Sequence, residues 1–314
     1  MLAIITPHYG KADVLQLVTI RKPAPRPSEI LVNVKATSIN PIDWKLRQGQ
    51  WPLRAIFGLR KPRKRIPGMD FAGVVTHIGR DVHGFQVGDA VCGANPRGTN
   101  CEYIAVDQNS AVIKCPSNFD MREAAGMPLA GLTALQALRK GKAAKGTRLL
   151  VYGASGGVGM FAVQIGRALG CQITTMCSSR NLSWMASLGS TEILNYTEHL
   201  PMAEDRRFDL VLDTVGKTSY WPWKRYLTPR GTYVTASPGF ADLFSIVFSR
   251  AIHATRAKTL VTHFSQADLH LLGRFAEDGH LWTRIDREYQ LSEVAEAHRY
   301  AEQGHSAGKV VVTL

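Results

Sequence analysis

The residues whose types and spacing best suit chemistry are those at 151–159, Val151-Tyr152-Gly153-Ala154-Ser155-Gly156-Gly157-Val158-Gly159. Glycines recur there at 153, 156 and 159, after the apolar run Leu149-Leu150-Val151 and before Phe161, Ile165 and Leu169 at helical spacing. Between a buried strand and a helix, such glycines allow a tight turn, a close approach of backbone N–H groups to a phosphate, and close helix–sheet packing. The helix N-terminus adds partial positive charge. Gly153, Ser155, Gly156, Gly157, Val158 and Gly159 are therefore candidate binders of a dinucleotide pyrophosphate. A glycine triplet alone marks only a flexible turn; its place between a strand and a helix raises it above that.

The next candidate strand ends at Met176 and is followed by Cys177-Ser178-Ser179-Arg180-Asn181. An NAD site usually places a carboxylate here to bind the ribose hydroxyls. No Asp or Glu occurs between Gly159 and Glu192. Ser178, Ser179, Arg180 and Asn181 offer hydrogen-bond donors suited to a 2′-phosphate, which predicts NADPH as cofactor.

These residues need a framework. A chain of 314 residues has room for about two domains. To about Ser117 the sequence is β-rich, with runs such as Ile30–Ala36, Ala72–Ile78 and Asp89–Cys92 between Gly, Pro and Asn turns, as in a small barrel or curled sheet. Beyond it, Met121–Leu138 has helical character. Strands are then expected at Arg148–Tyr152, Gln172–Met176, Glu192–Leu194, Phe208–Asp213, Thr232–Ala236 and Thr259–Phe264, with helices between them. That alternation predicts a doubly wound parallel sheet, an α/β fold. Helices are expected at Ser265–Phe275 and Glu293–Glu302, and the terminal strand Lys309–Leu314 is expected to return to the N-terminal β domain.

Composition narrows the class. The net charge is +13, and Arg54, Arg60, Lys61, Arg63, Lys64 and Arg65 crowd one segment with Pro62 and Pro67. Such a run could attract nucleic acid or an anionic membrane, or help draw in an anionic cofactor or substrate; a solvated basic loop is the plainer expectation, and nucleic acid is not an expected partner. No run of 18 apolar residues could span a bilayer, so no membrane insertion is expected. The N-terminal residues enter a strand pattern directly, without a signal-peptide pattern, which predicts a cytoplasmic protein. The five cysteines are odd in number and lack C-x-x-C spacing, as expected of reduced thiols with packing roles.

The sequence resembles the zinc-independent part of the medium-chain dehydrogenase/reductase superfamily, in its quinone oxidoreductase (ζ-crystallin-like) branch. The likeness spans nearly the whole chain. It rests on Ser38-Ile39-Asn40-Pro41-Ile42-Asp43-Trp44-Lys45, Gly68-Met69-Asp70-Phe71-Ala72-Gly73, Phe85-Gln86-Val87-Gly88-Asp89, Pro128-Leu129-Ala130-Gly131-Leu132-Thr133-Ala134, the glycine turn, Asp213-Thr214-Val215-Gly216 and Gly308-Lys309-Val310-Val311-Val312. The resemblance implies a GroES-like β-barrel domain from both chain ends (1–117 and 266–314), a Rossmann domain (118–265), and an active site in the cleft between them. It implies NADPH-dependent reduction of quinones or α,β-unsaturated carbonyls, and a homodimer formed through Rossmann sheet edges. It also places Asn40, Thr133, Ser178, Asn181, Tyr196 and Lys309 near the cofactor.

Zinc-dependent relatives use a Cys, a G-H-E motif and a further Cys or Asp for the catalytic metal; here Gly68-Met69-Asp70 stands at that motif. The ten histidines are scattered, three ligands for an open tetrahedral site are not evident, and no metal is expected. Without a Lewis acid, an enone or quinone suits hydride addition better than a simple alcohol does. Asn40 is expected to position substrate and nicotinamide, with Asp43 and Lys45 as nearby catalytic candidates; a turn and a surface pair are their plain alternatives. Several enoyl-reductase relatives carry a proton-donating tyrosine just beyond this motif, where the chain reads Arg47-Gln48-Gly49-Gln50-Trp51-Pro52. An indole cannot act as a phenolic acid, so solvent is the expected proton source. A second class stays open: a cofactor-binding sensor or nucleic-acid-binding protein on the same fold, with little catalysis.

Overall fold

The computed structural model describes residues 1–51, 53–63, 65–197, 202–203, 205–237 and 256–314. Pro52 and Lys64 of the basic segment lie outside the described residues. The chain divides into two units, Met1–Ala130 with Phe264–Leu314, and Gly131–His263.

Alternation of side chains builds the first unit. Ile30, Val32 and Val34 fall on one face of the strand Glu29–Ile39, because successive residues point to opposite sides. They pack with Phe71, Val75, Val91, Ile104, Val106 and Val112. One edge of this strand pairs antiparallel with Asp70–Ile78. Its other edge is shared, residues 29–33 pairing with Tyr103–Asp107 and residues 36–39 with the last strand, Lys309–Thr313. Slips in the ladder between Leu31 and Val32, and between Val34 and Ala36, give the bends that such a division needs. The sheet has seven strands and is mixed, since Ile285–Gln290 runs parallel to Lys309–Thr313 at its edge.

The helix expected across Met121–Leu138 is two helices, Met121–Gly126 and Pro128–Lys140. Pro128 has no N–H to donate and its ring crowds the preceding turn, so the first helix ends before it. Asp120 caps that helix, accepting from the N–H groups of Arg122 and Glu123. The capped helix packs on the strands Glu29–Ile39 and Asp70–Ile78. Residues through Ala130 accordingly pack with the first unit, so the compact units meet at 130/131 and 263/264.

Among its described residues the second unit holds six parallel strands in the spatial order Glu192–Asn195, Gln172–Cys177, Arg148–Tyr152, Phe208–Asp213, Leu227–Thr235, Arg256–Thr259. Numbered along the chain this is 3-2-1-4-5-6, the doubly wound order that reverses direction beside the first strand. Leu149–Val151 and Leu210–Leu212 are buried, as parallel strands covered on both faces must be. The sixth strand lies earlier than the expected Thr259–Phe264. Among the described residues it pairs on one side only, so Arg256 and Lys258 are tolerated where a central strand would be apolar. The helix Gly157–Ala168 is buried from Gly159 to Gly166. All five cysteines are free, with Cys92, Cys101 and Cys177 buried. No helix among the described residues is long and apolar enough to cross a membrane.

Candidate functional site

The second unit carries its own candidate site, on the turn after Arg148–Tyr152. Gly153 has φ +76°, and a Cβ there would lie 2.2 Å from Cγ2 of Val215. A Cβ on Gly159 would lie 2.3 Å from the Gly153 carbonyl oxygen. Both glycines are demanded by the chain's own packing. Gly156 differs: its backbone is extended (φ −79°, ψ 173°), and its Cβ would meet nothing closer than 3.5 Å. It is the N-cap of Gly157–Ala168 and supplies no side chain to the N–H groups of the first turn. Those groups have no intrahelical partner and the dipole favours an anion there. Bare backbone that the fold does not require, beside unsatisfied donors, fits a pyrophosphate.

The loop after Gln172–Cys177 is tied to that turn. Asn181 Nδ2 donates to Ser155 Oγ at 2.9 Å and to Ser178 Oγ at 3.3 Å. Asn181 is buried, so its amide braces the loop; Ser178 is half-buried, and Ser179 and Arg180 are exposed. Tyr196 joins them, its N–H donating to the Cys177 carbonyl at 3.1 Å and its ring 6.0 Å from that of Tyr152. Burial, then the charge of Asp213, hold the Tyr152 phenol above its ordinary pKa, so it stays neutral. Thr133 is buried on the helix Pro128–Lys140, its Oγ1 2.9 Å from Oγ1 of Thr262.

Sequence reasoning attached no role to Asp213-Thr214-Val215-Gly216. Asp213 Oδ1 accepts the N–H groups of Val215 and Gly216, each at 2.9 Å, and its Oδ2 accepts the Tyr233 hydroxyl at 2.8 Å. Thr214 Oγ1 donates to the carbonyls of Tyr152 and Gly153 at 2.9 and 3.1 Å. The segment thus buttresses the glycine turn, with Val215 filling the space Gly153 leaves. An acid at a strand end followed by a glycine was the available signal.

In the first unit, Asn40 is the N-cap of Pro41–Gln48, and its N–H donates to Asp43 Oδ2 at 2.9 Å. Its side chain sits in a buried polar cluster. Asn40 Nδ2 donates to Asp70 Oδ2 at 2.8 Å, and Asn40 Oδ1 accepts from Lys309 Nζ at 2.6 Å. Asp70 also accepts from Ser38 Oγ at 2.6 Å and from the Leu129 N–H at 2.8 Å. Lys309 Nζ lies 3.6 Å from Asp70 Oδ2, with both side chains almost fully buried. Burial pulls the Lys309 pKa below its ordinary value, opposed by the nearby carboxylates of Asp70 and Asp43. Asn40, Asp43 and Lys309 are therefore brought together. Lys45 stands further along the helix, half-buried with Nζ 5.6 Å from the Trp44 ring centroid, and burial lowers its pKa. Ser38 and Asp70 carried no assigned role in the sequence, because their partner Lys309 arrives from the far end of the chain.

No group of three or more His, Cys, Asp or Glu side chains placed to hold a metal ion occurs among the described residues. Trp51, in the stretch where the resemblance leads to a tyrosine being looked for, is 65% exposed.

Residues 26–146 match the alcohol dehydrogenase GroES-like domain, and residues 188–312 match the zinc-binding dehydrogenase family. A chloroplastic quinone-oxidoreductase of Triphysaria versicolor is 31% identical, over 97% of this chain and 95% of its own length. A 2-methylene-furan-3-one reductase of Solanum lycopersicum is 29% identical over 97% of this chain and 76% of its own. The solved structure of a quinone oxidoreductase from Coxiella burnetii superposes with a TM-score of 0.90 at 32% identity, covering 100% of this chain and 99% of that one.

Proposed function

The chain belongs to the medium-chain dehydrogenase/reductase superfamily, in its quinone oxidoreductase branch, and from that premise we propose an NADPH-dependent, zinc-independent reductase of quinones or α,β-unsaturated carbonyls. The observation that carries the cofactor preference is the carboxylate-free Ser178-Ser179-Arg180-Asn181 segment, braced against the glycine turn by Asn181 and Ser155. A carboxylate there would select the ribose hydroxyls and repel a 2′-phosphate; hydroxyls and an exposed guanidinium favour the phosphate. Met69 at the zinc relatives' histidine position supports independence from zinc.

When bound, a reduced nicotinamide supplies the hydride. Gly156 and the first helical turn hold the pyrophosphate, Ser178, Ser179 and Arg180 hold the 2′-phosphate, and Tyr196 and Thr133 flank the cofactor. Asn40 positions substrate and nicotinamide, with Asp70 and Lys309 locking its amide plane through one donated and one accepted bond. Lys309 thereby acts through Asn40. Asp43 caps the Asn40 helix, Lys45 stands in the same loop-and-helix segment, and solvent supplies the proton to the reduced acceptor. A cytoplasmic homodimer, joined through an outer strand of the parallel sheet, completes the proposal.

The decisive measurement is kcat/KM for NADPH and NADH against a panel of quinones and enones, for the wild type and Arg180→Asp. NADPH should be preferred, and the substitution should cut that preference by roughly tenfold or more, as expected for loss of a charge-assisted phosphate contact. A clear NADH preference in the wild type would remove the cofactor assignment. NADPH oxidation with no acceptor in the panel would favour the sensor alternative.

A further inference from the structure

Between Asp43 and Asp70 the chain carries eight basic residues and no carboxylate. Part of this segment is a loop with a fixed base. The Arg63 N–H donates to the Phe57 carbonyl at 2.8 Å, and the Thr6 N–H donates to the Arg65 carbonyl at 2.7 Å. Pro62 is buried and lines a small cavity with Tyr9, Leu46 and Phe57. The Tyr9 hydroxyl donates to the Gly58 carbonyl at 2.5 Å. The Arg54 guanidinium lies 4.7 Å over the Tyr9 ring while its Nε donates to the Gly49 carbonyl at 2.8 Å. Tyr9 therefore holds Gly49, Arg54 and Gly58 around one side chain.

What the loop presents is unusual for a solvated turn. Leu59 is 66% exposed and Trp51 65% exposed. Arg60, Lys61, Arg63 and Arg65 are all exposed, and none has a carboxylate partner among the described residues. Solubility explains the cations but not an aliphatic side chain held out at their centre. The combination matches the interfacial zone of a bilayer, where a Trp sits at headgroup depth, an aliphatic tip enters the acyl boundary, and cations meet anionic headgroups. Nucleic acid would use the cations, yet Leu59 has no role on a phosphate backbone.

We propose that Trp51, Leu59, Arg60, Lys61, Arg63 and Arg65 dock this protein reversibly on an anionic lipid bilayer. Docking of this kind is peripheral and independent of which acceptor the enzyme reduces.

The test is cosedimentation of the full chain with phosphatidylcholine vesicles containing or lacking phosphatidylglycerol, across a salt series. Binding is expected only with phosphatidylglycerol and should weaken as salt rises. The combined Arg60→Gln, Lys61→Gln, Arg63→Gln and Arg65→Gln variant should bind roughly 100-fold more weakly, and Leu59→Ser with Trp51→Ser about tenfold more weakly. Neither variant should unfold below the wild-type temperature, since the altered side chains are exposed and the charge variant also relieves part of the net positive repulsion. Three results would overturn the proposal: equal binding to vesicles without phosphatidylglycerol, no binding to either, or undiminished binding by the charge variant. Tighter binding to a short DNA or RNA duplex than to the anionic vesicles, unaffected by Leu59→Ser, would assign the segment to nucleic acid instead.

Discussion

Gly153, Gly156 and Gly159 share a residue type for different reasons, and substitutions separate those reasons. At 153 a positive φ and the contact with Val215 make a side chain costly; at 156 the protein itself leaves room. Gly153→Ala should therefore lower stability by about 1–2 kcal/mol or more in denaturant unfolding. Gly156→Ala should change stability by less than about 0.5 kcal/mol while weakening NADPH binding roughly tenfold or more in a titration. A Gly156→Ala protein that binds NADPH normally would show that bare backbone there serves no ligand. The Asp70–Lys309 pair makes a second residue-scale case. Removing one partner strands a buried charge, so Lys309→Met should cost about 3 kcal/mol, and adding Asp70→Asn should restore part of it. Turnover should fall in both variants because Asn40 loses an anchor. If the double variant is no more stable than Lys309→Met, the two groups are not coupled as their geometry requires.

Among the elements, those with a local cause were legible and those fixed from a distance were not. Leu149–Val151 and Leu210–Leu212 identified themselves as buried parallel strands by composition, and the doubly wound sheet follows from the alternation of strands with helices, while its order 3-2-1-4-5-6 came only from the structure. The split at Pro128 is also local, a rule about a missing N–H that the apolar pattern across Met121–Leu138 concealed. The edge strand Arg256–Thr259 was hidden because its basic side chains are set by having one neighbour among the described residues. The glycine turn could be read from the sequence, but the Asn40–Asp70–Lys309 cluster could not, since it forms only when the last strand pairs with Glu29–Ile39. The same long-range packing places the helix Val294–Glu302 near Pro41–Gln48 and creates a pH dependence. His298 is fully buried, and desolvation, then the neighbouring charge of Arg47, depress its pKa from 6.5 to about 3. The native state keeps it neutral while the unfolded chain protonates below about pH 6.5. Above that pH it has no effect. As pH falls toward about 3 the unfolded state binds the extra proton, so stability declines by up to about 1.4 kcal/mol per pH unit. His298→Leu should flatten the fall of the urea midpoint between about pH 6 and 4. A slope identical to the wild type would mean that His298 is not held neutral.

Across the whole molecule, the imbalance of 38 basic against 25 acidic side chains acts beyond any one loop. Several cations are paired, as in Arg148 with Asp209 and Arg122 with Asp120 and Glu288. Exposed pairs of this kind contribute little each. The net excess of +13 remains and repels itself in the compact state more than in the expanded one. Two salt effects then compete. Screening weakens the surface pairs, and it also weakens the general repulsion. The pairs act at contact distance, whereas the repulsion sums over the molecule and is cut most strongly as the Debye length falls from about 30 Å at ~0.01 M to about 8 Å at ~0.15 M. Relief of repulsion should win, raising the thermal midpoint by about 2 °C or more over that range near neutral pH. The gain should shrink as pH approaches 9.7, where the net charge vanishes. Scanning calorimetry at both salt levels and both pH values measures each part. A midpoint that falls with salt near neutral pH would place the surface pairs above the net charge, and the basic excess would then carry no cost to the fold that a function has to balance.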